Sequence, residues 1–156
     1  ERFLEVDSIR AVGGKLKWKR KEGWLEVTVG ILEENGKIHA LSPSLTVAEG
    51  AVLSVEEKFQ GGTGVNITPP SEEIVKPTIL SLVKKSMEKV VERLGIQGYA
   101  RIDTFMNVDS GDVIVIEIIS TPALTPSTVL FHQALAEKTP MTPLELLEKL
   151  VHNKGY

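Results

Sequence analysis

The sequence predicts an α+β domain: a mainly antiparallel sheet with helices packed on one face. Segments rich in β-branched and aromatic residues lie in the first third of the chain and again over 97–106 and 113–120. Between them, apolar residues recur at helical spacing from Pro77 to Leu94, and Gly95 is the expected stop. Strands joined by short turns, with helices in separate blocks, are typical of this fold class.

Composition fits one domain spanning 1–156. The 156 residues are enough to bury a core, and 42% hydrophobic and 25% charged residues are ordinary globular values. A net charge of -3 argues against a general nucleic-acid binder, and no apolar run approaches the ~20 residues that span a bilayer. Cysteine is absent, which excludes disulfide and thiolate chemistry from this chain. Because the chain begins at Glu1 rather than Met, we expect it to be a piece of a longer protein.

The first predicted strand covers 2–10 and is followed by the basic stretch Lys15–Lys21. We interpret this stretch as the solvated edge of a hairpin, where lysines discourage pairing with another chain. Because Trp18 and Trp24 are interleaved with the basic residues, contact with RNA or another phosphate-rich partner is the alternative.

A second strand is predicted over 24–32, and the tight turn Glu34–Lys37 leads from it into a third strand over 38–41. Further along, the glycine-rich segment 60–64 follows Lys58. Such a loop lets backbone amides approach a phosphate, and a flexible surface loop is the simpler interpretation.

Two more helices are predicted toward the C-terminus. Thr125–Thr128 opens a helix that runs to about Ala136. Its hydroxyls cap the helix or, with the amides of the first turn, form an anion site, and the two roles are compatible. Thr142–Glu145 is a capping box with proline in the first turn, and it starts a helix toward His152.

The most informative feature is a pair of acidic residues in the hairpin formed by 97–106 and 113–120. If the turn is centred on Ser110, Asp103 lies directly across from Glu117, and Arg101 across from Ile119. Like charges that face each other on a sheet destabilise it unless a proton or a cation offsets the repulsion. Hard cations such as Mg²⁺ prefer carboxylate oxygens, so the pair predicts a metal site. A solvated face with no ligand, or a slipped register, is the alternative.

These motifs resemble the C-terminal part of an ATP-grasp enzyme, specifically a D-alanine–D-alanine ligase, and most closely its plant-type, tandem-domain homologues. The resemblance spans nearly the whole chain and is most specific from Lys58 to about Glu137. The motifs that carry it are Glu56–Pro70, Gly98–Asp103, Glu117, Thr121–Pro122 and Thr125–Thr128. It implies that this chain forms the C-terminal half of an ATP-grasp fold.

The resemblance implies a role for each matching residue on the phosphate side of the site. Asp103 and Glu117 correspond to the carboxylates that bind Mg²⁺ (or Mn²⁺), and Arg101 to the arginine near the transferring phosphoryl group. Lys58 corresponds to the lid-loop lysine that contacts the ATP phosphates.

It also implies roles on the nucleoside and substrate sides. Glu26 matches the glutamate that binds the ribose hydroxyls of ATP. The residues expected against the adenine are Glu5, Val6 and Asp7 of the hinge, with Phe105 and Ile116 packing on the ring. Ser127 and Thr128 match the stretch that receives the carboxylate of the second D-alanine, beside an oxyanion site near Ala123.

Three residues depart from the family pattern. Ile119 stands where the family usually has an asparagine that ligates the second magnesium, and it has no oxygen to offer. Ala123 replaces a glycine, so that an added Cβ crowds the oxyanion site. Phe59 stands where bacterial enzymes often have tyrosine, although plant-type sequences also carry phenylalanine.

The resemblance implies that the intact protein joins two D-alanines with ATP and Mg²⁺ through an acyl phosphate, a step of peptidoglycan precursor synthesis. N-terminal and central domains of the same protein would complete the site, so we expect this fragment alone to be inactive. A homodimer is compatible with the resemblance, and we expect neither nucleic-acid nor membrane partners. The expected location is the cytoplasm, or the plastid stroma if the source is a plant. The alternative, favoured by Ile119 and Ala123, is a non-catalytic nucleotide-binding or interaction module.

Overall fold

The computed structural model describes residues 4–13, 15–47 and 65–152. Within these ranges it contains eight strands and three helices. The strands are β1 Ser8–Val12, β2 Lys15–Lys19, β3 Trp24–Glu34, β4 Lys37–Ala40, β5 Leu45–Val47, β6 Val65–Ile67, β7 Tyr99–Asn107 and β8 Val113–Ile119. The helices are α1 Pro77–Leu94, α2 Val129–Leu135 and α3 Pro143–His152.

A four-stranded antiparallel sheet with the order β4-β3-β7-β8 forms the centre of the domain. The long strand β3 pairs with β7 over nine residues, from Trp24 opposite Asn107 to Leu32 opposite Tyr99. Two smaller antiparallel pairs, β1-β2 and β5-β6, flank this sheet. The predicted α+β class and its mainly antiparallel sheet are therefore confirmed.

Helix α1 covers one face of the central sheet and has the predicted bounds. Pro77 occupies its first turn, and Gly95 ends it in the left-handed conformation with φ of 66°. Its buried residues are Ile79, Val83, Met87 and Val91. They pack against the inward-facing residues Leu25, Val27, Val29, Ile31, Ala100, Ile102 and Met106. This cluster is the main hydrophobic core.

Helices α2 and α3 lie on the opposite face of the sheet, at one end. They form a second cluster in which Leu130 and Leu146 pack with Leu32 and Leu41. Side chains alternate between the two faces along a strand, so Leu32 faces away from the Ile31 side. The helices are thus divided between both faces, whereas the sequence led us to expect one face. The division leaves the other end of the second face open.

The basic stretch forms the predicted hairpin, but the first strand starts later than expected. Strand β1 begins at Ser8 rather than in the first residues, and it continues to Val12. Ile9 pairs with Trp18, and both pack against the main core, while Lys17 of β2 is exposed. The hairpin therefore has one apolar face toward the core and one basic face toward solvent.

The helix ends agree with the sequence at α3 and differ at α2. Before α3, the backbone N–H of Thr142 donates to the Glu145 carboxylate at 2.7 Å, and the Glu145 N–H donates to the Thr142 hydroxyl at 3.3 Å. This reciprocal pair is the predicted capping box. Thr128 at the start of α2 makes no side-chain cap hydrogen bond, so the predicted hydroxyl cap is wrong there. No helix in the described part of the chain is long and apolar enough to cross a membrane.

Candidate functional site

The open face of the central sheet carries the predicted site residues of strands β3 and β7. Strands β3 and β7 place Thr28 opposite Asp103, and Gly30 opposite Arg101. One step away, the exposed Glu26 lies opposite the half-buried Phe105. Because directly paired residues share a face, these side chains form a row that α2 covers only at the Gly30 end.

Strand β8 adds the second acidic residue through a β-bulge. Glu117 pairs with Asp103, and Ile119 pairs with Arg101, as predicted. Nearer the turn, however, Thr104 pairs with Val115 rather than with Ile116, and the register shifts between Asp103 and Thr104. The predicted turn centre at Ser110 is therefore wrong by half a residue. Ile116 is the extra residue that restores the predicted register at the acidic pair.

Asp103 is held by two neighbours. Its Oδ1 accepts a hydrogen bond from the Thr28 hydroxyl at 3.0 Å, and its Oδ2 accepts one from Arg101 Nη2 at 2.9 Å. The side chains of Arg101 and Asp103 are 26% and 20% exposed, so this ion pair is partly shielded from water. Arg101 thus supplies a cation that offsets the repulsion between Asp103 and Glu117.

The acidic pair fits a magnesium ion that is shared with a phosphate. Mg²⁺ is usually bound through one or two carboxylates, several waters and substrate phosphates, and a carboxylate can accept about four hydrogen bonds or metal contacts. Two contacts are used on Asp103, and Glu117 is exposed. Among the described residues, no group of three or more His, Cys, Asp or Glu side chains could enclose a metal. Ile119 adds no oxygen beside the pair.

Asp7, predicted on the adenine side, has a structural side chain. It is only 7% exposed, and its carboxylate accepts hydrogen bonds from Trp18 Nε1 at 2.9 Å, Lys21 N at 2.9 Å and Gly23 N at 3.0 Å. Its backbone N–H donates to the Trp24 carbonyl at 2.7 Å. The side chain therefore fastens the β1-β2 hairpin to the start of β3, and the predicted adenine contact of this segment stays a prediction.

The remaining nucleoside-side residues are accessible. Glu5 is exposed and Val6 is half-buried. On β8, Ile114 and Ile116 are 45% and 47% exposed, which is unusual for large apolar side chains in a strand. The accessibility of Ile116 is compatible with its predicted packing on an adenine ring, which stays a prediction together with the roles of Phe105 and Glu26.

The predicted substrate segment precedes α2. Ala123 and Ser127 are exposed and Thr128 is half-buried, and the Ser127 hydroxyl lies 3.4 Å from that of Thr125. Along the chain this segment lies between β8, which carries Glu117, and α2. The roles of Ala123, Ser127 and Thr128 stay predictions.

Lys58, Phe59 and the glycine-rich segment 60–64 lie outside the described residues. Strands β5 and β6 come together at the two sides of this region, with Val47 paired to Val65. The predicted phosphate contact of Lys58 therefore stays a prediction.

The structure adds two site residues that the sequence reasoning missed, Thr28, which bonds Asp103, and Gln133. Gln133 of α2 is fully buried, and its Nε2 donates to the Thr28 carbonyl at 2.8 Å. The available signal was a polar residue inside the apolar helical pattern of Leu130, Phe131 and Ala134. A buried polar side chain in such a pattern requires a partner, and here the partner is the site strand β3.

Comparisons with known proteins agree with the resemblance. A family model described as the D-ala D-ala ligase C-terminus matches residues 20–152. The D-alanine–D-alanine ligase of Flavobacterium psychrophilum is 29% identical over 120 residues, which cover 74% of this chain and 34% of that relative. The D-alanine–D-alanine ligase of Lacticaseibacillus casei is 32% identical over 112 residues, covering 72% of this chain and 29% of that protein.

A solved structure supports the fold. D-alanyl-alanine synthetase A from Vibrio cholerae superposes with a TM-score of 0.61 at 18% identity, covering 88% of this chain and 40% of that one. At this identity the likeness establishes the fold alone, and the predicted ATP-grasp C-terminal architecture is confirmed. The chain spans about a third of the length of the curated relatives it matches. The finer resemblance to plant-type homologues stays a prediction.

Proposed function

This chain belongs to the family of D-alanine–D-alanine ligase C-terminal domains, and we propose that the intact protein is an ATP- and Mg²⁺-dependent ligase that joins two D-alanines. The observation that carries the proposal is the arrangement of Arg101, Asp103 and Glu117 on one open sheet face. A guanidinium beside two carboxylates suits a reaction that moves a phosphoryl group and must stabilise developing negative charge.

Asp103 and Glu117 are the residues that would hold Mg²⁺. When bound, the ion neutralises charge on the phosphates of ATP. Thr28 fixes Asp103 through its hydroxyl at 3.0 Å, which keeps one carboxylate oxygen in place before ligand arrives. The fixed position of Asp103 reduces the ordering that binding would otherwise require.

Arg101 would orient the transferring group. A guanidinium has five N–H donors, and one of them bonds Asp103 at 2.9 Å, so the same side chain can also donate to a phosphoryl oxygen. In the proposed reaction, the γ-phosphoryl group of ATP passes to the carboxylate of the first D-alanine. The amine of the second D-alanine then attacks the acyl phosphate, and inorganic phosphate leaves as the peptide bond forms.

Other residues complete the proposed site. Glu26 binds the ribose; Glu5, Val6 and Asp7 contribute hinge backbone to the adenine, which packs on Phe105 and Ile116; Lys58 contacts the phosphates; and Ser127 and Thr128 receive the second substrate near Ala123. The rest of the nucleotide and first-substrate sites comes from N-terminal and central domains of the same protein. This agrees with the coverage of the relatives, because the chain spans only about a third of their length.

A non-catalytic nucleotide-binding module is the second candidate, and Ile119 favours it. Ile119 lies directly across from Arg101, on the face that carries the acidic pair. An apolar side chain there cannot ligate a metal, so a second magnesium would lose the ligand that the family's asparagine supplies.

An ADP-release assay on the full-length protein with Mg²⁺ and a panel of D-amino acids tests both candidates. We expect release that depends on D-alanine and is lost in Arg101→Met, while Lys17→Met on the exposed β2 strand serves as the matched control. Binding of Mg-ATP without release for any D-amino acid would support the non-catalytic module. Absence of both binding and release would contradict both candidates.

A further inference from the structure

Two buried polar atoms in the described part of the chain have no hydrogen-bond partner: Arg101 Nε and Gln133 Oε1. One is a donor and the other is an acceptor. Buried polar groups are almost always paired, so each such atom calls for a physical explanation. The positions of the two atoms indicate that one explanation applies to both.

The amide of Gln133 has a fixed orientation. Its nitrogen lies 2.8 Å from the Thr28 carbonyl, and because a carbonyl only accepts, the nitrogen must be on that side. The oxygen Oε1 therefore points away from Thr28. It lies 2.5 Å from the point where a Cβ at position 30 would be, directly above Gly30.

Gly30 is the direct cross-strand partner of Arg101. Residues paired in this way present their side chains on the same face, so the Arg101 side chain leaves the sheet on the face above which Gln133 Oε1 lies. The unpaired acceptor thus lies above Gly30 of β3, and the unpaired donor belongs to Arg101, which is paired with Gly30 on the neighbouring strand β7.

We propose that Gln133 Oε1 accepts a hydrogen bond from Arg101 Nε in the nucleotide-bound enzyme, which makes Gln133 a positioning residue for Arg101. The role of Arg101 in phosphoryl transfer rests on the proposed function, whereas the pairing requires only that the nucleotide binds. With Nε held by Gln133 and Nη2 held by Asp103, the guanidinium plane is fixed at two points. Its remaining N–H groups then face the phosphoryl group in one orientation.

The bond would close a ring of contacts across α2, β3 and β7. Gln133 donates to the Thr28 main chain, the Thr28 hydroxyl donates to Asp103, and Arg101 donates to Asp103. The proposed bond joins Arg101 back to Gln133. Since α2 follows directly after Thr128, this ring couples the predicted D-alanine carboxylate segment to the arginine on the phosphate side.

Gly30 is part of the same arrangement. A Cβ at this position would lie 2.5 Å from Gln133 Oε1 and 2.5 Å from Leu130 Cδ1, closer than real Cβ atoms approach their neighbours. Gly30→Ala should therefore displace the Gln133 amide without changing Arg101 or any proposed nucleotide contact. It provides a second route to the same defect.

The first test is kinetic and uses the full-length protein. Gln133→Met keeps the side-chain length and removes the acceptor, and Phe131→Leu is the control because Phe131 is buried in the same helix outside the ring. We expect Gln133→Met to lower kcat for ADP release about tenfold and to change KM for ATP by less than about twofold. Its loss of thermal stability should match that of Phe131→Leu. Unchanged kcat in Gln133→Met, or an equal loss in Phe131→Leu, would overturn the positioning role.

The second test is independent of activity. In protein carrying isotope-labelled arginine, with Mg²⁺ and adenosine 5′-(β,γ-imido)triphosphate bound, solvent exchange of the Arg101 Nε–H is measured by NMR. We expect slow exchange in the wild type and faster exchange in Gln133→Met and Gly30→Ala. Equal exchange in all three proteins would overturn the pairing. Slow exchange that depends on Gln133 in a protein with no ligase activity would sustain the pairing and refute only the proposed function.

Discussion

Glu117 is the direct cross-strand neighbour of Asp103 because Ile116 bulges out of the β7-β8 ladder. A regular ladder continued from the turn would place Ile116 opposite Asp103 and turn Glu117 toward the core face. Bulges re-aim side chains and are common next to active sites. The bulge thus produces the acidic pair. The repulsion between its two carboxylates destabilises the pairing of the edge strand β8 with β7.

The destabilisation caused by this repulsion can be measured with Glu117→Gln. Removing one of two facing carboxylates should stabilise the ligand-free protein by about 0.5 kcal/mol, because like charges opposite each other destabilise a sheet. The same change should weaken stabilisation by Mg²⁺ with an ATP analogue, since binding to the folded state raises its stability. Urea unfolding with and without these ligands measures both effects, and Glu148→Gln, at an exposed position of α3, is the control. Loss of stability in the ligand-free Glu117→Gln protein would contradict this view of the pair.

Ile119→Asn tests whether the missing oxygen limits metal binding. The amide oxygen would lie beside the acidic pair, on the face that holds Arg101. We expect higher ligase activity in the full-length protein, and about a tenfold lower Mg²⁺ concentration at half-maximal ADP release, in line with the usual effect of metal-site side chains. Ile119→Leu is the control that changes shape without adding an oxygen. No gain over that control would show that Ile119 is not the limiting residue.

The acidic pair could be predicted from sequence because alternation and turn residues are local signals. The bulge could not be predicted. Ile114, Val115 and Ile116 are all β-branched and apolar, and nothing in their order marks which one leaves the ladder. The prediction reached the correct pairing of Asp103 because the error in the turn centre and the missing bulge compensate.

The features that could not be predicted from the sequence depend on long-range packing. Helix α1 and the capping box at Thr142 depend on neighbouring residues and were predicted with their bounds. The contact of Gln133 with Thr28 joins residues 105 positions apart, and no local pattern specifies it. The division of the helices between two faces is likewise a long-range feature. Leu32 packs with α2 and α3, and the sequence alone does not show that these helices cover its face of the sheet.

Asp7→Asn should damage the hairpin junction. The Asp7 carboxylate accepts hydrogen bonds from three N–H donors, and an asparagine would turn its own NH₂ group toward at least one of them. We expect a loss of about 2 kcal/mol, the usual penalty for an unsatisfied buried donor near a charged partner. Fluorescence of Trp18 and Trp24 during urea unfolding reports the change, and Asp112→Asn in the exposed β7-β8 turn is the control. An unchanged unfolding midpoint with weaker ATP binding would instead support a direct nucleotide role for the Asp7 side chain.

The capping box predicts a stability change at acid pH. Hydrogen bonds from the backbone N–H and then the hydroxyl of Thr142 hold the pKa of Glu145 below its usual value. A lowered folded-state pKa stabilises the protein above the unfolded-state pKa of about 4.3, and this contribution is lost as pH falls through the lowered value. Thr142→Ala should cost about 1 kcal/mol at neutral pH through loss of the cap. It should also flatten the part of the acid-side decline that belongs to Glu145, which urea unfolding at several pH values measures. An unaltered pH profile in Thr142→Ala would show that the backbone N–H, which alanine keeps, lowers the pKa of Glu145 without the hydroxyl.

Glu137 should be worth more to stability than an ordinary surface charge because three groups meet at it. Its Oε1 accepts from the Ser42 N–H at 2.6 Å and the Ser42 hydroxyl at 2.9 Å, and both of its oxygens accept from Lys84 Nζ, at 3.1 and 3.0 Å. The side chains of Lys84 and Glu137 are 26% and 21% exposed, so water screens them only in part. The contacts join α1, the end of α2 and the segment that enters β5.

Glu137→Ala removes all of these contacts and should cost about 2 kcal/mol, because hydrogen bonds to a charged group are stronger than neutral ones. Glu137→Gln keeps an acceptor for Ser42 and loses only the ion pair, so it should cost about half as much, and Lys84→Met should match it. The three variants are compared by urea unfolding, with the Glu137→Ala, Lys84→Met double variant closing the cycle. If Glu137→Ala costs no more than Glu137→Gln, the bonds to Ser42 add nothing, and the segment entering β5 is held by other contacts, among them the backbone bonds between Thr28 and Ser44 and the bond between the Ser44 and Thr68 hydroxyls.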